Sequence, residues 1–74
     1  KVEVLEFRAG REGAYLRVPL KDLALRPGVL IACLVRSGRA HIPGGMDSIE
    51  PGDGVLVVTK DHHLTELSDI LAEQ

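Results

Sequence analysis

The sequence predicts a small α+β fold, a four-stranded sheet that carries one short helix and one longer C-terminal helix. Three observations predict it. Two runs, "VLIACLV" (Val29–Val35) and "VLVVT" (Val55–Thr59), are short, apolar on both faces and each preceded by a Pro-Gly signal. Glycine and proline punctuate the chain between the successive candidate elements up to the last strand. Finally, Leu64, Leu67, Ile70 and Leu71 form one apolar stripe at helical spacing after Asp61, a plausible N-cap.

Lys1 to Ala9 reads as the first strand. Glu3, Leu5 and Phe7 fall on one side and Val2, Val4 and Glu6 on the other, a mixed pattern that suits a sheet edge. "AGREG" ends it. "VPLKDLAL" reads as a short helix or a single helical turn, with Pro19 tolerated at its start and Leu20 and Leu23 facing inward. Arg26-Pro27-Gly28 has the residue order of a type II turn. The strand Val29–Val35 would alternate Val29, Ile31, Cys33 and Val35 against Leu30, Ala32 and Leu34, so it needs cover on both sides. Ser37-Gly38 closes a hairpin, and a return strand Ala40 to Pro43 ends at its proline. "GGMDSIEPGDG" is a loop with a second Pro-Gly turn at Pro51-Gly52.

At 74 residues the chain is one domain. Chains of this size bury only about 60% of the surface they expose unfolded, so a staple or a partner is needed. One cysteine, Cys33, cannot form an internal disulfide, and no Cys/His set has zinc spacing. Two-faced strands with cover on one face leave apolar surface to bury, so a homodimer is expected. The single thiol suits a reducing, cytoplasmic setting. A net charge of −2, one Tyr, one Phe and no Trp argue against nucleic-acid binding. No apolar run approaches the ~18 residues of a membrane helix, so no direct membrane insertion is expected. The chain opens at Lys1 without an initiator Met, and is expected to be a piece of a longer protein.

"RSGRAHIPGG" (Arg36–Gly45) concentrates positive charge on one turn. With Ser37 and Gly38 as turn residues, Arg36 lies opposite Arg39, Val35 opposite Ala40, Leu34 opposite His41 and Ala32 opposite Pro43. Arg36, Arg39 and His41 then share the face of Leu34. Like charges opposed across a ladder are unfavourable unless something negative lies between them. Three readings stand: both arginines splay into water; Asp47, Glu50 or Asp53 pairs with them, within the chain or across a dimer; or a ligand phosphate does. The remaining polar residues carry less. His62 and Glu66 sit one helical turn apart, as metal ligands sometimes do, but adjacent histidines at a helix start usually face solvent, and no metal site is expected. Cys33 and Met46 read as packing fillers, and Asp53 as an acceptor of backbone hydrogen bonds in its turn. No nucleophile, base and oxyanion donor can be assembled, so no enzyme activity and no catalytic residue is expected.

The order "VPLKDLALRPGVLIACLVRSGRAHIPGGMDSIEPGDGVLVVT" resembles the TrkA C-terminal domain family, also called the RCK C-terminal domain. The features run in sequence over about residues 14 to 71: the "PLKDL" helix start, Pro-Gly-Val and an apolar strand ending in Arg-x-Gly, Ile-Pro on the return strand, and Pro-Gly-Asp before the last strand. The resemblance implies a mixed four-stranded sheet in a dimeric, cytoplasmic regulatory domain over residues 1–74. Such domains usually follow a Rossmann-like domain in gating subunits of potassium uptake systems and occur in other cation and dicarboxylate transporters. The partners implied are a second copy and, through the parent protein, a membrane potassium transporter or channel subunit. Some similar proteins bind cyclic di-AMP between the two domains of a dimer. The matching positions here are Ile31, Arg36, His41, Ile42 and Pro43, and the hairpin places Arg39 with them. The Gly-x-Gly-x-x-Gly nucleotide fingerprint is absent, so no cofactor is expected within this chain.

Overall fold

The two apolar runs pair with each other at the centre of a sheet. The computed structural model describes residues 1–60 and 62–72. Four strands, β1 (Glu3–Arg8), β2 (Val29–Arg36), β3 (Arg39–His41) and β4 (Gly54–Thr59), lie in the order β1-β4-β2-β3. The central pair is therefore β4 and β2, the two strands whose β-branched content favours a pleated, buried surface. β1 takes one edge, as its mixed pattern requires, and the three-residue β3 takes the other.

All three pairings are antiparallel, which corrects the mixed sheet implied by the resemblance. No long crossover helix joins any two strands, and parallel neighbours need one.

β2 carries a bulge. Ile31 pairs with Val57 but Cys33 pairs with Leu56, so Ala32 is an extra residue. The simple alternation expected for Val29–Val35 breaks there. Ile31 and Leu34, three residues apart, both face the core at 7% and 0% exposure. Cys33 turns to the other side with Val35, and is half-buried rather than a core filler. From β4 the core takes Val55, Val57 and Thr59. By the register, Leu5 and Phe7 of β1 lie on the same side, partly buried against the cluster.

Loops cover this face, where a helix was expected. The stretch after Asp61, which lies outside the described residues, forms a short 3-10 turn, Leu67–Ile70. The stripe is still buried: Leu64, Leu67 and Ile70 are 7%, 5% and 0% exposed, with a spacing of three that suits turns. Two contacts stop an α-helix. The Asp69 carboxylate accepts from the Thr65 and Glu66 N–H groups and so marks the start of a turn at Glu66. Beyond it the chain bridges Leu25 through Leu71, with the Arg26 N–H donating to the Ile70 carbonyl and the Ala72 N–H to the Ala24 carbonyl. Those bonds need extended backbone. The "PLKDL" stretch gives the single helical turn foreseen, a 3-10 turn at Leu20–Asp22. Loop 42–53 is stitched beneath it, where Leu20 donates to Asp47 and Lys21 to Gly45.

Among the described residues, the opposite face of the sheet is the open one. The register puts Val4, Leu30, Leu56 and Val58 there, with Cys33 and Val35 after the bulge. Val4 and Leu30 are 61% and 60% exposed.

Candidate functional site

The hairpin forms in the expected register: Leu34 faces His41, Val35 faces Ala40 and Arg36 faces Arg39. Ser37 and Gly38 both have positive φ, 53° and 76°, the requirement of a type I′ turn whose twist matches its strands. β3 stops at His41, so the expected pairing of Ala32 with Pro43 is not made.

The charge on this hairpin has a partner within the chain. Arg36 and Asp53 form a two-pronged pair: Nε donates to Oδ1 at 2.9 Å and Nη2 to Oδ2 at 2.6 Å. Nη2 also donates to the Ser48 carbonyl at 3.0 Å, and the Glu50 N–H donates to Asp53 Oδ2 at 2.9 Å. Asp53 is buried while the Arg36 side chain stays 44% exposed. The turn around Pro51-Gly52 presents the carboxylate: Gly52 has φ 86° and the Asp53 N–H closes onto the Glu50 carbonyl. The Arg36 hydrogen bonds hold the Asp53 carboxyl below the usual range, against its burial, helped by the Glu50 N–H and by the charges of Arg36 and His41. Arg36 is correspondingly raised, first by its bond to Asp53. Of the three readings of the hairpin, Arg36 takes the ion pair. Asp53 does accept a backbone hydrogen bond in its turn, and the arginine is its larger partner.

Arg39 and His41 are exposed, and both stand on the Leu34 side of the hairpin by the register. Ile42 is 86% exposed just past β3. Ile31 and Pro43 come together elsewhere: they line a groove of about 250 Å³ with Leu20, Lys21, Leu25 and Leu30, closed at one end by Gly44 and Gly45. The groove exists because β3 ends early. β2 from Leu30 to Ile31 then has β4 on one side and no strand on the other, and the chain from Pro43 to Gly45 swings away to meet Lys21. Gly45 allows that approach, since a Cβ there would stand 3.2 Å from the Lys21 Cβ. Its walls are apolar, and Lys21 brings the one ionisable side chain; the Lys21 Nζ lies 3.3 Å from Asp22. The structure thus separates the expected site residues into a greasy groove (Ile31, Pro43), a charged hairpin tip (Arg39, His41) and a structural pair (Arg36).

Leu20, Lys21, Leu25 and Leu30 were not singled out from the sequence as site residues. The available signal was Gly44-Gly45, which marks a close backbone approach without saying to what. Met46, expected to pack, is 75% exposed. His62 is exposed and pairs with Glu3, its Nδ1 2.7 Å from Oε1. Among the described residues no cluster of three or more His, Cys, Asp or Glu could hold a metal, and no helix is long and apolar enough to cross a membrane.

The structure is thus a small antiparallel sheet with one covered face and an apolar groove at its edge. The chain belongs to the TrkA-C domain family, whose model matches residues 4–72. Domains of this family are regulatory rather than catalytic and generally serve potassium transport. Six chains of solved structures also match. One, described as an RCK domain with cda, superposes with a TM-score of 0.74 over 93% of this chain and 97% of its own, at 17% identity. That likeness is one of fold. No curated protein matches by sequence.

Proposed function

We propose that this chain, 1–74, is the cytoplasmic regulatory domain of a longer potassium transport protein, and that it works as a homodimer whose intersubunit cleft takes a small anionic ligand such as cyclic di-AMP. The observation that carries the reading is the groove. Ile31 and Pro43, two of the positions matched to the family, line one apolar cleft, and Lys21 stands at its rim. Arg39 and His41 lie exposed at the two ends of β3, the strand that leads to Pro43, with charge to offer an anion. An apolar slot with a few cationic groups beside it suits a flat base joined to a phosphate.

A ligand of this kind regulates by binding one arrangement of two subunits better than another. A coupling of about 1–3 kcal/mol changes a downstream equilibrium several-fold to a hundredfold. Through the parent protein the partner is a membrane transporter or channel subunit, which keeps the domain at the cytoplasmic side of the membrane.

Isothermal titration with cyclic di-AMP tests the ligand. Heat of binding is expected for the wild type, with clear weakening in Arg39→Ala and Lys21→Ala. Absence of heat with both partners concentrated removes the ligand. A second reading, a dimerisation module without ligand in another cation or dicarboxylate transporter, is favoured by the Arg36–Asp53 pair, because one of the two arginines offered to an anion is already neutralised. It predicts that no phosphate-bearing molecule raises the melting temperature.

A further inference from the structure

The two edges of the sheet are built differently. β3 is three residues long and leads to Pro43, which has no N–H to offer, and an edge of that kind resists further pairing. β1 has neither safeguard. It pairs with β4 over six consecutive positions, Glu3 to Arg8, with no bulge and no proline. Among the described residues no strand lies beyond it. The bonds at its end show which backbone groups face outward. The Ala9 N–H donates to the Asp53 carbonyl, and the Ala9 carbonyl accepts from the Gly52 N–H, so Ala9 bonds toward β4. Antiparallel pairing alternates, so Phe7 and Leu5 bond the same way, while the N–H and C=O groups of Val4, Glu6 and Arg8 point away from the sheet. A cavity of about 230 Å³ lies against this strand, lined by Glu6, Phe7 and Arg8.

The side chains of this edge fit a second copy of themselves. In a sheet continued across a two-fold axis, opposed residues share a face, so the axis passes through one residue of β1. An axis through Glu6 or Arg8 sets two like charges opposite each other. One through Val4 or Leu5 leaves Glu6 opposite an apolar side chain. Only the axis through Phe7 sets Glu6 against the other copy's Arg8 and Arg8 against its Glu6, two opposite-charge pairs at once. Both residues are exposed, and Arg8 spends one N–H on the Gly52 carbonyl at 3.1 Å, with others left for a carboxylate. On the covered side the same register joins Phe7 to Phe7 and Leu5 to Ala9, all of them packed in or against the core. We infer that β1 pairs antiparallel with β1 of a second copy about a two-fold axis at Phe7, joining two four-stranded sheets into one of eight strands. β4 separates this edge from Leu30 and Ile31 of the groove, so the contact goes beyond the ligand cleft proposed above and uses a different part of the molecule.

The test uses the full chain with Cys33→Ser, which silences the native thiol. Glu6→Cys and Arg8→Cys are each made in this background and mixed under mild oxidation. Hydrogen-bonded opposed residues lie about 5.5 Å apart at Cα, within disulfide reach, and diagonal ones roughly 7–8 Å, outside it. The mixture is expected to form a disulfide between the two variants, and either variant alone at least tenfold less. Sedimentation over a concentration series reads the contact without a cross-link. Glu6→Pro removes an outward N–H and no bond to β4, so the monomer keeps its fold, as circular dichroism checks, and the dissociation constant is expected to rise roughly tenfold or more. Glu6→Arg sets base against base and is expected to weaken the contact likewise, and adding Arg8→Glu to it is expected to restore the wild-type value. Absence of the disulfide in the mixture, with association unchanged in Glu6→Pro and Glu6→Arg, overturns the edge contact and leaves the homodimer proposed above standing. Cross-linking of Glu6→Cys alone as fast as the mixture overturns the axis at Phe7.

Discussion

Removing the Arg36 side chain should cost this domain far more than an exposed arginine normally would. Arg36→Ala leaves the buried Asp53 carboxylate with the Glu50 N–H in place of three donor contacts. Truncating one partner of a fully buried pair costs about 3–5 kcal/mol, and a hydrogen bond to a charged group is worth about 1.5–3. Arg36 is partly open to water and screened there, so the expected loss is about 2–4 kcal/mol at neutral pH. For a chain of this length that corresponds to a fall in melting temperature on the order of 10–30 °C. The loss must also depend on pH. The folded-state pKa of Asp53 is depressed, so the stability it contributes is fully present above the unfolded value near 4 and is lost as pH falls through the folded value. Urea titrations of wild type and variant at pH 7 and at a series of pH values below 4 measure it. The gap should be widest at pH 7 and close in acid. A variant within about 0.5 kcal/mol of wild type at pH 7, the range of an ordinary surface change, refutes the reasoning, as does a gap that ignores pH.

The turn and one glycine contact give further tests. Gly38→Ala should destabilise by about 1–2 kcal/mol in urea titration, purely through backbone strain, because a Cβ there meets nothing within 4 Å and φ is +76°. Ser37→Asn, at φ +53°, should gain about 0.3–0.5 kcal/mol by the same measurement, as asparagine tolerates that region better. Gly13→Ala should lower the melting temperature by several degrees, since its Cβ would fall 2.5 Å from the Tyr15 ring, which is held in place by its hydroxyl accepting the Gly10 N–H.

The hairpin was legible from the sequence because two local rules agreed on it: a two-residue loop fixes register, and register fixes which side chains share a face. That β2 and β4 are apolar on both faces was legible from their residue pattern. The bulge was not, because nothing in "LIACLV" distinguishes an extra residue from a paired one; the difference lies in how β4 sits beside it. The C-terminal helix failed for a similar reason. Its apolar stripe is real, and spacing of three fits a 3-10 turn as well as an α-helix until the bridge from Leu71 to Leu25 decides. Of the groove's lining, Ile31 and Pro43 were singled out through the resemblance, while Arg36, Arg39, His41 and Ile42, named with them, are not part of that lining. Asp53 was one of three carboxylates considered for the arginines, and only the turn at Pro51-Gly52 selects it. Lys21 and its leucine neighbours reach the groove through loop packing, which no local pattern encodes.

Ala32 governs more than the curvature of its strand. Before it, odd-numbered side chains of β2 point toward the covered layer; after it, even-numbered ones do. The inserted residue therefore acts as a parity switch, and Arg36 reaches Asp53 only because the count was reset four positions earlier. Were Ala32 instead paired into the ladder, with no bulge, the guanidinium would turn to the bare side and Cys33 inward, stranding a carboxylate in the interior.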